Sequence, residues 1–165
     1  MRREEQRFEV LYRDHATQVL AYLRRRTDRE TAHDVAAEVF TVVWRRLAEV
    51  PDPPLPWLLG VARKQLANSQ RASRRRRLLQ RRIAQQPAHS PGPPGAAATD
   101  VSDVAAALAV LSDDDRELLT LIGWDELTPT EAAAVLAISA QAARTRLHRA
   151  RRRLEAQLDV EERQP

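Results

Sequence analysis

The chain has 165 residues, room for one domain or two small ones, and a formal charge of +4 in which Lys64 is the single lysine among 27 basic residues. It has no cysteine, which excludes a disulfide framework and a cysteine redox switch, and its four histidines (His15, His33, His89, His148) lack metal-ligand spacing, so no metal or cofactor is expected. No apolar run approaches the roughly 18 residues of a membrane span and no apolar leader opens the chain, so a cytoplasmic protein without membrane insertion is expected.

The periodicity predicts a first helix over residues 4–26, with Phe8, Leu11, Tyr12, His15, Val19, Tyr22 and Leu23 along one face. Thr27-Asp28-Arg29-Glu30 reads as a capping box that opens a second helix. Val35, Val39, Val42, Val43 and Leu47 form its apolar stripe, with Phe40 and Trp44 beside it. Four prolines in residues 51–56 cannot continue a helix, because proline lacks the N–H and clashes with the preceding turn. A third helix then starts at Trp57, with Leu58, Val61, Ala62, Gln65 and Leu66 at core spacing. Trp44 and Trp57 are read as core anchors. Between residues 63 and 82 stand nine basic side chains and no acid: Arg63, Lys64, Arg71, Arg74, Arg75, Arg76, Arg77, Arg81 and Arg82. Such a run is either a solvated face or tail, or a surface for nucleic-acid phosphates.

Residues 85–99 hold four prolines and two of the four glycines, the composition of a flexible linker. Beyond it, Val104, Leu108 and Leu111 share a helical face. Ser112-Asp113-Asp114-Asp115 caps a helix carrying Leu118, Leu119, Leu121 and Ile122, and Trp124 is expected to pack at its end. Thr128-Pro129-Thr130-Glu131 is a second helix start, with Thr128 as N-cap, Pro129 at the first helical position and Glu131 closing a capping box. Ala132, Val135 and Leu136 give that helix one apolar face. After the connector Ala137-Ile138, Ser139 caps a last helix whose Ala143, Leu147, Ala150 and Leu154 recur at steps of four and three. Gln141, Arg144, Thr145, His148 and Arg152 fall on its opposite side. The pattern suits a helix-turn-helix whose second helix lies in a DNA major groove; the alternative is a helical hairpin with a solvated basic face. The fold class is all-α: two small helical domains, 1–84 and 100–160, joined by the Pro/Gly/Ala linker 85–99.

These residues resemble a known family. LSDDDRELL (111–119), LTPTEAAAVLAIS (127–139) and ARTRLHRAR (143–151) are similar to region 4 of sigma-70 RNA polymerase sigma factors, and the two-domain layout resembles their extracytoplasmic-function (ECF) group. The resemblance implies that Gln141, Arg144, Thr145, His148 and Arg149 meet the promoter −35 element. AHDVAAEVFTVVW (32–44) is similar to the region 2 helix that grips the polymerase β′ clamp helices, with Asp34, Glu38 and Phe40 at matching positions. Asp34 and Glu38 also read as a solvated pair of carboxylates. WLLGVARKQLAN (57–68) is similar to the segment that opens and reads the −10 element. That implies −10 contacts by Arg63, Lys64, Asn68, Arg71 and Arg74, with residues 51–56 and the start of the third helix holding an unstacked non-template base. The chain departs from the family at Ala37, where glutamine is usual, at Lys64, where asparagine is common, and at Asn68, where aspartate is common.

The resemblance therefore implies a transcription initiation factor. Its partners would be core RNA polymerase (β′ clamp helices and β flap), promoter DNA and an anti-sigma factor. The alternative is a stand-alone helix-turn-helix regulator that binds an operator as a dimer. An enzyme is not expected: the four glycines build no phosphate-cradling loop, and no Ser-His-Asp or Cys-His arrangement is present, so no catalytic residue is assigned.

Overall fold

The computed structural model describes residues 2–84, 109 and 111–161, with side chains described as far as residue 80 in the first stretch and 156 in the last. The chain divides into two compact units, Met1–Gly95 and Ala96–Pro165. Residues 85–99, Val104 and Leu108 lie outside the described residues, as do the side chains of Arg81 and Arg82. Among the described residues every regular element is helical, and no helix is long and apolar enough to cross a membrane.

The first unit packs three helices: α1 (Arg2–Arg24), α2 (Arg29–Arg45) and α3 (Leu55–Ala84), with a 3₁₀ turn at Leu47–Glu49. The apolar stripes meet inside. Val19, Tyr22 and Leu23 of α1, Val35, Val39 and Val43 of α2, and Leu58, Leu59 and Ala62 of α3 are fully buried. Truncating a buried leucine such as Leu58 to alanine costs about 2–5 kcal/mol, so these positions hold the bundle together. The cap of α2 is Asp28, one residue later than the capping-box reading placed it: its carboxylate accepts the Thr31 backbone N–H at 2.9 Å and the Thr31 hydroxyl at 2.8 Å. Aspartate wins over threonine here because a charged acceptor makes the stronger bond to the open helix end. Helix α3 starts at Leu55, two residues before the expected Trp57, because Pro56 fits a first helical turn, where an N–H is not required. Arg7 of α1 donates to the Val50 carbonyl at 2.8 Å and ties the loop before α3 to the bundle.

The aromatic residues depart from expectation. Trp44 is 47% exposed and Tyr12 52% exposed, and Trp57 is half-buried beneath the Arg46 guanidinium, 5.5 Å above its ring. The three-helix interior is already filled by Val, Leu and Tyr22, so these larger rings lie at its margin.

The second unit holds α4 (Asp113–Gly123), α5 (Pro129–Leu136) and α6 (Ala140–Glu161). Leu111, Leu118, Leu121, Leu127, Ala132, Val135, Ala143, Leu147 and Ala150 are its buried core. The caps read from the sequence are present. Ser112 accepts from the Asp115 N–H, Thr128 and Glu131 form a reciprocal capping box, and Ser139 accepts from the Ala142 N–H. The turn between α5 and α6 is closed by the Ile138 N–H on the Ala133 carbonyl at 3.0 Å, with Ala137 in the left-handed region at φ 55°. Trp124, expected to pack at the end of α4, is instead 52% exposed; Leu127 fills that place and donates its N–H to the Leu121 carbonyl.

Candidate nucleic-acid interface

The outer face of α6 follows from its buried one. With Ala143, Leu147 and Ala150 turned inward, Gln141, Thr145, His148 and Arg152 recur at steps of four, three and four on the far side, and all four are exposed. Arg144 flanks this row and donates to the Gln141 side-chain oxygen at 3.1 Å. The Thr145 hydroxyl donates to the Gln141 carbonyl at 3.0 Å, leaving its lone pairs outward. The structure thus brings together Gln141, Arg144, Thr145 and His148, four of the five residues that the resemblance assigns to the −35 element, and with them Arg152, which the sequence pattern already places on this side. Its four-residue offset from His148 was the signal in the sequence.

Arg149 lies on the other flank. It shares a groove with Ser112, Asp114, Asp115, Arg146 and Arg153, where the first turn of α4 approaches α6. Arg146 pairs with Asp114 at 3.2 Å and Arg153 with Asp115 at 3.4 Å, so these two arginines brace α6 against α4. Arg149 stands between them with two carboxylates spoken for, at the edge of the outer face.

The cap at the front of this motif is charged. Hydrogen bonds from Thr128, its hydroxyl foremost and its backbone N–H second, hold the Glu131 carboxyl below the usual carboxylate range. The anionic form is therefore the one that fits the α5 start.

In the first unit a second polar row runs along α3. Lys64, Asn68, Arg71 and Arg75 follow one another at steps of four, three and four, and all are exposed. Half-buried Trp57 lies on the same row, two turns earlier. Arg71 donates to the Asn68 side-chain oxygen at 2.7 Å, so Asn68 presents its amide nitrogen. Arg63 and Arg74 lie on the flank of this row, and Arg63 is half-buried. Arg75, read from the sequence as part of the basic run, and Trp57, read there as a core anchor, fall on this row at seven-residue steps from Asn68 and Lys64. Among the described side chains of α3, Leu66 is the last that is buried, and from Arg74 to Gln80 every side chain is exposed. The exposed basic stretch of α3 over residues 74–80 is a surface suited to a polyanion.

The third polar face is of opposite sign. Asp34 and Glu38 are exposed on the outer side of α2, with Glu30 one turn earlier. Phe40, expected beside them, is only 5% exposed and points toward α1.

Comparison with known proteins agrees with this division. Residues 11–77 match sigma-70 region 2, and residues 102–154 match sigma-70 region 4. The chain is 31% identical over 140 residues to the RNA polymerase sigma factor CnrH of Cupriavidus metallidurans, covering 78% of this chain and 73% of that protein. It is 35% identical over 133 residues to the probable RNA polymerase sigma factor RfaY of Xanthomonas campestris pv. campestris; the match covers 75% of this chain but spans about a third (33%) of RfaY. The solved structure of CnrH in complex with the cytosolic domain of CnrY superposes with a TM-score of 0.59 at 26% identity, covering 93% of this chain and 88% of that one. The fold also resembles that of the sigma factor RpoE of Bartonella quintana, with a TM-score of 0.65 at 23% identity, covering 93% of this chain and 97% of that one. With region 2 and region 4 in succession and a homologous sigma factor aligned over most of its length, the chain belongs to the sigma-70 family of RNA polymerase sigma factors, in its ECF group.

Proposed function

We propose that this protein directs core RNA polymerase to promoters, binding the enzyme through α2 and the DNA through α3 and α6. The observation that carries the reading is the segregation of charge among the three exposed helix faces: acidic on α2, basic on α3 and on α6. On α6, Gln141, Arg144, Thr145 and His148 would enter the major groove at the −35 element, with Arg149 and Arg152 at the margins. Arginine side chains of this kind recognise guanine edges and phosphates by paired N–H donors. On α3, Arg63, Lys64, Asn68, Arg71 and Arg74 would meet the −10 element, with Arg75 continuing the row. The exposed half of Trp57 gives an unstacked base a surface. Asp34 and Glu38 would face the polymerase β′ clamp helices, with Phe40 supporting α2 from below, and the second unit would reach the β flap.

The mechanism is binding and strand separation, with no covalent step. Opening base pairs costs on the order of 1–2 kcal/mol per stacked step, which captured bases and upstream anchoring offset. An anti-sigma chain is a further partner, since CnrH, 31% identical over 140 residues, is described in complex with the cytosolic domain of CnrY. The site of action would be the cytoplasm, with the polymerase. The stand-alone regulator is not favoured, because the residues where its sensor or dimerisation domain would lie match sigma-70 region 2.

The test is run-off transcription on genomic fragments from the source organism with purified core polymerase. New discrete transcripts that need both the core and this protein are expected. An active preparation that neither binds core nor starts transcripts anywhere would overturn the reading.

A further inference from the structure

One flank of α6 offers less charge than its sequence suggests. Arg146, Arg149 and Arg153 recur at steps of three and four and so share a face, each one residue after Thr145, His148 and Arg152 of the outer row. A helix seated in a major groove about 12 Å wide has a phosphate strand beside each flank, where arginines in such a row would each meet a phosphate. Here the first turn of α4 lies against them instead. The Arg146 guanidinium reaches Asp114 at 3.2 Å and that of Arg153 reaches Asp115 at 3.4 Å. Exposed Arg149, in the same groove, has no ion pair among the described residues.

These two pairs do little to hold the unit together. The buried Leu118, Leu121, Ala143, Leu147 and Ala150 already form its core, and surface ion pairs add little to that. Nor does the helix dipole account for them. It favours acids in a first turn wherever their side chains point, and Asp113 pairs within α4, with Arg116 at 3.2 Å. Asp114 and Asp115 reach across to α6, and Asp115 keeps only 13% of its side chain in solvent. What the pairs change most is the charge that DNA meets. A guanidinium that holds a carboxylate brings no net charge to a phosphate; to make that contact it must leave its partner as an anion beside the DNA backbone. Sequence-independent affinity grows with each uncompensated cation, so the pairs act on that component.

We infer that Asp114 and Asp115 are positioning residues that limit phosphate contacts: they hold Arg146 and Arg153 off the DNA backbone and leave Arg149 as the phosphate contact of this flank. This rests on the reading of α6 as the −35 helix. The row that reads base edges is untouched. What the aspartates restrain is attraction to DNA of any sequence, the component that would keep the protein on sites other than promoters.

The experiment uses the full-length protein bound to core polymerase. It measures affinity, over a range of salt, for a promoter fragment mapped by run-off transcription and for the same fragment with its −35 element scrambled. Asp114→Asn/Asp115→Asn should tighten binding to both fragments alike, by about three- to tenfold, and steepen the slope of log K against log salt by up to about 0.9 for each arginine released. Arg146→Ala alone should leave affinity unchanged, and placed on Asp114→Asn it should cancel the gain of that variant. Asp113→Asn removes the same charge from the same turn, but its arginine lies on α4, so no gain is expected. An aspartate double variant with unaltered affinity and slope overturns the inference. So does a gain that survives Arg146→Ala or is matched by Asp113→Asn, since either would be a general loss of repulsion. If Arg146→Ala alone weakens binding as much as Arg149→Ala does, Arg146 already meets DNA, and the inference falls even where the aspartate variants fold poorly. A wild-type protein that gives no preference for the promoter over the scrambled fragment would remove the −35 reading, and the inference with it.

Discussion

Ala137 occupies a backbone position that favours glycine. At φ 55° its methyl group meets the crowding that penalises left-handed L-residues by roughly 1–2 kcal/mol, yet the turn between α5 and α6 needs that conformation. Ala137→Gly removes the clash and adds back some unfolded-state entropy, so the second unit should gain about 0.5–1 kcal/mol, measured by chemical denaturation. Glu131 gives a pH dependence. Its folded-state value is lowered by the Thr128 hydrogen bonds, so the stability it contributes is present above the unfolded glutamate value of about 4.3 and is lost as pH falls through the depressed folded one. Glu131→Gln should therefore flatten the acid side of the thermal-unfolding curve of the second unit while leaving a capping amide in place. An unchanged acid limb would show that other carboxylates govern it. Arg149 lies where α6 faces both outward and toward the α4 groove. Arg149→Ala should weaken −35-dependent binding by about 1–3 kcal/mol in a promoter footprint, without loss of helix content. An unchanged footprint would remove it from the interface.

At the level of elements, the sequence was legible wherever local chemistry decided the outcome. The Thr128–Glu131 capping box and the Ser139 cap depend on residues within one turn, and both are found as read. The buried stripes of α3 and α6 follow from helical period alone, and so do the outer rows that they leave, including Gln141, Thr145 and His148. What period could not supply was competition for space. Trp44, Trp57 and Trp124 look like core residues by hydrophobicity, but the small bundles are closed by Val, Leu and Ala before these rings can enter. The same limit applies to ion pairs. Nothing in the local sequence says that Arg146 and Arg153 reach Asp114 and Asp115, 32 and 38 residues away, and so belong to the brace between α4 and α6. Surface pairs of this kind add little to stability, about 0–1 kcal/mol each.

For the whole molecule, a net charge of +4 understates the local field, because α3 carries nine cations and no acid while α2 turns Glu30, Asp34 and Glu38 outward and α4 opens on Asp113, Asp114 and Asp115. Promoter affinity should fall steeply as salt rises, as expected when several phosphates are neutralised. Replacing Arg74, Arg75, Arg76 and Arg77 together by alanine should lower the slope of log K against log salt by about 0.7–0.9 for each that meets a phosphate, and should do so on any DNA sequence. A slope equal to that of the unaltered protein would identify this end of α3 as a solvated tail. The arginine bias has one more consequence. Lys64 is the chain's single lysine, and it stands exposed in the middle of the α3 row. Apart from the α-amine, it is the one primary amine that an acylating reagent can modify. The protein thus carries a built-in chemical footprinting probe: the mass gained on brief acylation reports whether this face is open or covered, without a label being introduced.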